Sequence, residues 1–406
     1  MDHPGWRPHG ALLNPDVLIL GAGTAGAAAA AACARRGMRV RVLEAGPLET
    51  AGAHWFNGVP AWAFDAVGLD RPKHPECAAE GVPFHLVVGW GPERLVVRNH
   101  DLMEVDMALL VQRLRGQASK DGAEFHGDTR VGPEVLDTVD CPVIDATGLS
   151  GLNLLALPPV PREDLCVAAQ GVWQVDDVQA ARGWFSQHAA PEGETLCFTG
   201  VAGGYSVVNL RLEGDALSML TGSIPALGHP SGPLLAQRFA DEHAWVGQRL
   251  RFGARALPLA PPPITVGRGR VAAIGDAARQ VFGAHGSGIA QQLLAAEALA
   301  QALADGSGPE GYARRWRRQH GGLLAGADTF RRFSCTLSSE DLLCLTSQGI
   351  LSEDMARQTL TQRPPRPSPA LAKAVWGLAK NPGLARRMVP VLARLPLLEA
   401  SYRLGR

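Results

Sequence analysis

The chain has 406 residues, 46% of them hydrophobic and 19% charged, which is enough apolar material for two joined domains and too little charge for a disordered chain. Lysine plus arginine equals aspartate plus glutamate at 39 each, so no net charge recruits nucleic acid or an acidic partner. The seven cysteines are odd in number and lack metal-type spacing, which argues for reduced thiols over a disulfide framework, with no metal site expected. The opening MDHPGWRPHG has no charged-then-apolar secretory layout, and no stretch reaches the roughly 18 apolar residues of a membrane span. A cytoplasmic protein is expected.

Val17–Leu20 is a continuous apolar run of the kind a buried parallel strand requires. Gly21-Ala22-Gly23-Thr24-Ala25-Gly26 follows, then small residues to Ala32, a stop at Gly37 and a second strand over Arg39–Glu44. Together they make a β-turn-α-β unit. Strands are expected at Phe84–Val88 and Arg94–Val97, and Asp106 reads as the N-cap of a helix that ends near Lys120, before Gly122. Short strands at Glu124–His126 and Val143–Asp145 would return to the first sheet. A β-rich stretch comes next, over Cys166–Val175, Thr195–Thr199, Tyr205–Leu212 and Ala216–Leu220. Val271–Ile274 and a long helix after Gly288 resume the α/β style. From Tyr312 the pattern is helical, with a break at RPPRPSP, 363–369. The last stretch, 370–406, sets seven basic residues against the single acid Glu399. It reads as a docked helical piece with a solvated basic face, or as a peripheral membrane or protein contact.

The first glycine turn has the spacing of a dinucleotide site. Gly21 permits the tight turn, Gly23 leaves room for a pyrophosphate, and Gly26 lets the helix approach the sheet. The first N–H groups of the helix, including those of Thr24 and Ala25, would face the phosphates, where the helix dipole favours negative charge. Glu44 lies 18 residues beyond Gly26, at the end of the second strand, and with Ala45 is placed for the adenosine ribose. This motif alone does not separate NAD from FAD.

The second junction does. GDAARQVFGAHGSGI (275–289) resembles the second FAD fingerprint of the para-hydroxybenzoate-hydroxylase-type flavoproteins, with Gly283 where relatives usually have proline. That superfamily includes aromatic monooxygenases, flavin-dependent halogenases, geranylgeranyl reductases and lycopene cyclases. The resemblance implies that Gly275 and Asp276 hold the ribityl chain. It further implies that Gly286, Ser287, Gly288 and Ile289 bring a helix N-terminus to the pyrimidine end of the isoalloxazine, where it would stabilise negative charge on reduced flavin. VIDATGLSG (143–151) resembles the superfamily's segment near the flavin, which implicates Ala146, Thr147 and Gly148. The loop at Val131 is expected beside the adenine. The family's arginine at the start of the 106–120 helix is Met107 here, so a phosphate contact would fall to Arg98 or Arg113.

The implied architecture is α/β. A Rossmann-like FAD-binding domain (1–80, 101–160 and 262–330) interleaves with an antiparallel β-sheet substrate domain (81–100 and 161–261), followed by a C-terminal helical subdomain (331–406).

Three branch signatures are missing. The halogenase W-x-W-x-I-P is absent, GGYSVVNLR (203–211) lacks the tryptophan, phenylalanine and proline of the geranylgeranyl reductases, and DATGLS replaces the hydroxylases' ADG-x2-S. GTAG in the first turn resembles the halogenase branch, which also holds monooxygenases of aromatic groups, including peptide-bound tryptophan. The reading taken is therefore an FAD-dependent monooxygenase of an aromatic or electron-rich substrate, a small molecule or a polypeptide, acting through a C4a-hydroperoxide. NAD(P)H or free reduced flavin would be its electron donor. The alternatives are a reductase or dehydrogenase of an apolar, isoprenoid-like substrate, and a non-redox flavoprotein or binding module. His285 beside the ring, His54 with Trp55 on the loop after the second strand, and Tyr205 on the substrate sheet are the candidate catalytic residues. Cys335 and Cys344 read as structural thiols. Substrate would approach over residues 54–98 and 166–220.

Overall fold

The computed structural model describes residues 15–364 and 377–404. The opening decapeptide and most of the break at 363–369 lie outside the described residues.

The strand Val17–Leu20 is buried on both faces and occupies an inner position of a six-stranded sheet. It pairs in parallel with Val40–Leu43 on one side and Val143–Asp145 on the other, and Glu124–His126 and Val271–Ala273 extend the sheet in parallel. Gly267–Arg268 closes that edge antiparallel. The helix Thr24–Ala34 is buried at every position. Its alanines carry no bulk on any side, so the helices Met107–Lys120 and Ile289–Ala304 both pack against it. Asp106 caps the former as its sequence implies, accepting from the amides of Ala108 (2.9 Å) and Leu109 (3.2 Å).

A seven-stranded sheet runs in the order Val246–Pro258, Leu165–Val175, Ala216–Ser223, Ser206–Glu213, Thr195–Thr199, Phe84–Val88, Arg94–Val97. Every pairing is antiparallel except that of Thr195–Thr199 with Phe84–Val88. One face of this sheet is closed by the helices Val178–Gln187 and Gly232–Glu242 over Phe185, Phe239 and Trp245. Its other face looks back towards the glycine turns. A small sheet of Phe56–Pro60, Leu102–Asp106 and Cys77–Glu80 stands between the two.

Six of the expected strands have the observed ends, the others differ by one to three residues, and two features were not anticipated. Val246–Pro258 is the longest strand at 13 residues, yet it holds Arg249, Arg251 and Arg255 and lies at a sheet edge, so it shows no apolar alternation. The small three-stranded sheet is built from short pieces separated by loops, which give no periodic signal.

At the C-terminus, Ser339–Ser347 and Glu353–Leu360 are short helices with serine caps, and Pro382–Leu404 is a long one packed on Gly322–Ser334. Leu384 and Met388 turn inward to join Phe333, Leu337, Leu345 and Ile350. Val389, Leu397 and Leu404 stay exposed on the same helix, beside Arg386 and Arg394. Among the described residues no helix is long and apolar enough to cross a membrane.

Candidate active site

Both glycine turns open on one cavity of about 540 Å³. Gly23, Thr24 and Ala25 line it, as do Asp276 and Gly286–Ile289, and the seven-stranded sheet forms a wall. The two helices that start at these turns, Thr24–Ala34 and Ile289–Ala304, have glycine N-caps and no side-chain cap. Two bare helix N-termini on one cavity suit an elongated ligand with negative charge at two separated places, as reduced FAD has at its pyrophosphate and its ring.

The glycines divide the work. Gly21 has φ +101°, and a Cβ there would lie 2.5 Å from the Ala146 carbonyl oxygen. A Cβ on Gly26 would lie 1.8 Å from the Gly21 oxygen, so both positions are closed by the protein itself. At Gly23 the nearest protein atom to a Cβ is 3.5 Å away, and the residue lines the cavity. Its missing side chain leaves room for a ligand rather than for a neighbouring strand. Glu44 accepts from the Ala22 amide at 2.7 Å, which holds its carboxylate at the turn. These features fit FAD.

A buried chain of hydrogen bonds fixes the second turn. The Gly275 amide donates to Gln280 Oε1 (2.7 Å), Gln280 Nε2 donates to Tyr312 Oη (2.7 Å), and Tyr312 Oη donates to the Ala273 carbonyl (3.2 Å). Tyr312→Phe would strand the Gln280 amide, so unfolding should show a loss of about 1–3 kcal/mol together with weaker FAD retention. An unchanged denaturation midpoint would remove this role.

The remaining sequence candidates scatter. Ala146, Gly148 and Tyr205 line the cavity. Thr147 does not, because its hydroxyl donates to buried Asp145 (2.6 Å) and accepts from the Leu152 amide (2.9 Å). Val131 packs with Leu18, Leu20 and Val135 on the far side of the parallel sheet, and Ala45 is exposed. Arg98 also lies off the cavity; its amide donates to Glu353 and its carbonyl accepts from Arg357. Arg113 is held by Glu76 at 2.6 and 2.9 Å. Two arginines line the cavity instead, Arg211 and Arg255, and it is Arg255 that donates to the Gly52 carbonyl and draws down the Asp276 carboxyl that burial pushes up. Gln292 donates to Asp276 at 3.3 Å. Neither residue carried a sequence signal, since one sits in the unrecognised edge strand and the other inside a plain helix.

The three catalytic candidates separate likewise. His54 is exposed, with Nε2 paired to the Thr50 carbonyl (3.2 Å), and it does not line the cavity; Trp55, Phe56 and Asn57 do. His285 lines the cavity against Phe282, ring centroids 5.0 Å apart, and burial pushes its pKa down to about 4. It is therefore neutral near pH 7. Tyr205 Oη lies 3.2 Å from where a Gly286 Cβ would stand, and burial raises its pKa well above 10, so it keeps its proton.

Burial lowers His320 to about 4 as well. Both rings are neutral when folded, and both take up protons near pH 6.5 once unfolded. The unfolded chain thus binds more protons between about pH 6.5 and 4, and stability must fall as pH drops through that window. Thermal unfolding from pH 7 to 4 should show this slope, and His285→Gln and His320→Gln should each flatten it. A slope untouched by both would overturn the assignment.

This cavity, placed between a parallel and an antiparallel sheet and served by two glycine turns, defines an FAD-dependent oxidoreductase of the fold superfamily anticipated from the fingerprints. Residues 16–85 match the family model described as an FAD binding domain. The chain is similar to a digeranylgeranylglycerophospholipid reductase of Sulfolobus acidocaldarius, 24% identical over 84% of this chain and 82% of the relative. It is also similar to digeranylgeranylglycerophospholipid reductase 2 of Methanothermobacter thermautotrophicus, 27% identical over 80% and 89%. In fold it matches a geranylgeranyl bacteriochlorophyll reductase-like protein of Thermoplasma acidophilum (TM-score 0.72, 16% identity, 93% of this chain and 99% of that one). Klebsiella pneumoniae HpxO, solved with FAD and uric acid, shares the fold less closely (TM-score 0.59, 16% identity, 86% and 97%).

Proposed function

We propose that this protein is an FAD-dependent reductase whose substrate carries a long apolar, isoprenoid-like chain. The observation that carries the reading is the extent of the cavity wall. Beyond Tyr205 and Gly286 the lining continues through Phe330, Leu337, Leu342, Leu345, Ile350 and Met355 of the C-terminal helices and their connections. Residues 54–98 and 166–220 were expected to line the approach; this third, almost wholly apolar wall was not. An apolar wall of that length suits a hydrocarbon chain better than a compact aromatic ring. The two reductase relatives support the same reading.

Bound FAD would supply two-electron chemistry. Gly23–Ala25 and the uncapped start of their helix would hold its pyrophosphate, and Asp276 with Gly286–Ile289 its ribityl and ring portions. The apolar wall would lay the chain along the site and keep water out. Tyr205 Oη holds a proton beside Gly286, where a double bond under reduction needs one. His285, neutral at physiological pH, packs next to that position.

The test is anaerobic. Reduced holoprotein mixed with a polyprenyl alcohol should reoxidise and yield one saturated double bond per FAD, and Tyr205→Phe should slow that step. The sequence reading put oxygen transfer first. An oxygen-dependent hydroxylated product, with no anaerobic reoxidation, would restore that reading and overturn this one.

A further inference from the structure

We propose that the far end of the cavity is a headgroup site that takes an uncharged, hydroxyl-bearing polar end of the substrate and excludes a phosphorylated one; this rests on the chain-binding reading above. The argument starts from strand register. On the cavity face of the seven-stranded sheet, Val207, Asn209 and Arg211 alternate along the strand Ser206–Glu213, Tyr205 stands just before it, and all four line the cavity. Six residues separate Tyr205 from Arg211, about 20 Å at ~3.3 Å per residue. Val207 pairs with Gly222 and Thr199, and Asn209 with Leu220 and Cys197, so the first rows are mostly apolar. The next row changes character. Arg211 pairs with Ser218, and Thr195 closes the same row from the neighbouring strand. All three line the cavity, and so do Glu104 and His100 from the small sheet and its leading loop.

The charges there decide which ligand fits. Arg211 has only 7% of its side chain exposed and is ion-paired with Glu104 and, at 3.0 Å, with Glu213. Burial lowers the His100 pKa, which leaves its ring uncharged near pH 7. The one guanidinium is thus already held by Glu104 at the cavity wall, whose carboxyl burial pushes up and Arg211 draws down, and by Glu213 outside the cavity, so a phosphate brought there would be desolvated with no free cation to meet it. Hydrogen-bonding capacity nevertheless remains. Asn209 Oδ1 and Arg211 Nε are buried and have no partner within the protein. A mixed set of donors and acceptors without spare positive charge matches a hydroxyl group, which both gives and takes hydrogen bonds. An apolar cavity that ends in unpaired polar atoms also tells an amphiphile's two ends apart, and would set how far along the chain the reacting bond sits from its head.

The experiment uses holoprotein and three probes of equal chain length: geranylgeraniol, geranylgeranyl diphosphate and the corresponding hydrocarbon. Affinity is read from flavin fluorescence or calorimetry without turnover, so the result stands apart from whether reduction occurs. The alcohol should bind at least about tenfold more tightly than either of the others, the gain expected for satisfying buried polar groups. Asn209→Leu, which breaks no internal hydrogen bond of Oδ1, should bring the alcohol to within about twofold of the hydrocarbon. Arg211→Met should do the same, and the Asn209 variant decides the matter if Arg211→Met does not fold. Tightest binding of the diphosphate, equal binding of alcohol and hydrocarbon, binding of none of the three, or an Asn209→Leu protein that keeps the preference would each overturn the proposal. If the preference holds but no probe reoxidises the flavin under anaerobic conditions, the headgroup site stands and the reductase reading fails.

Discussion

Alanine at Gly26 should cost the protein both its cofactor and part of its stability, whereas alanine at Gly23 should cost the cofactor alone. The added methyl at Gly26 would stand 1.8 Å from the Gly21 carbonyl oxygen, a backbone atom that has no room to retreat because a Cβ on Gly21 would itself lie 2.5 Å from the Ala146 oxygen. Turn, helix and the 146 loop would have to separate. At Gly23 the same methyl has 3.5 Å of clearance and projects towards the cavity, so the apoprotein should unfold as wild type while the ligand's pyrophosphate loses its place. We expect FAD affinity to fall by at least about a hundredfold in both, equivalent to about 3 kcal/mol. The midpoint of apoprotein unfolding should drop only in Gly26→Ala. If the two variants lose the same stability, the division between a packing glycine and a ligand glycine is wrong.

The second large effect lies where the seven-stranded sheet meets the C-terminal helices. Asp164, just before the strand Leu165–Val175, accepts from Arg331 at 2.7 Å and from Arg332 at 2.7 Å, and Asp328 accepts from the same two arginines at 2.5 and 2.9 Å. Asp164 and Arg331 are each 2% exposed. Asp164→Ala would leave Arg331 with Asp328 as its one charged partner, beside the Glu163 carbonyl at 3.5 Å, in a medium that does not solvate charge, and should destabilise the protein by about 3–5 kcal/mol. Arg332 is 47% exposed at its side chain, so water replaces its lost partner and Arg332→Ala should cost about 1 kcal/mol or less. Equilibrium unfolding separates the two. A loss below about 1 kcal/mol for Asp164→Ala would show that Asp328 alone satisfies Arg331.

The parallel sheet and both glycine turns were legible because close packing leaves few residue types able to occupy those positions. Gly21, Gly26 and Gly275 are where a Cβ has no space, and the buried strands need unbroken apolar runs. Asp106 was legible as a cap because its side chain bonds locally. What the sequence hid depends on distant partners. Arg255 reaches the cavity only because an arginine-rich edge strand folds over residue 52, and Arg98, chosen for proximity in the chain, is drawn off by Glu353 and Arg357. His54 and Trp55 are neighbours on opposite faces of an extended segment, so placing the loop did not say which one enters the site. The apolar residues of 330–360, and Met388, read equally well as a private core; only tertiary packing makes them a wall of the cavity.

The link from Gly275 through Gln280 to Tyr312 bears on how this chain can be recombined with its relatives. The lock joins two residues 32 positions apart, on different elements, and neither half does its work alone. A hybrid gene whose crossover falls between codons 280 and 312 would inherit one half from each parent. Where the other parent lacks the glutamine or the tyrosine, it would present an intact fingerprint to any motif search and yet a loosened turn to the flavin. Hybrids joined before 273 or after 312 keep the whole lock with one parent, and those are the junctions at which exchange of the substrate sheet or the C-terminal wall should leave cofactor binding intact.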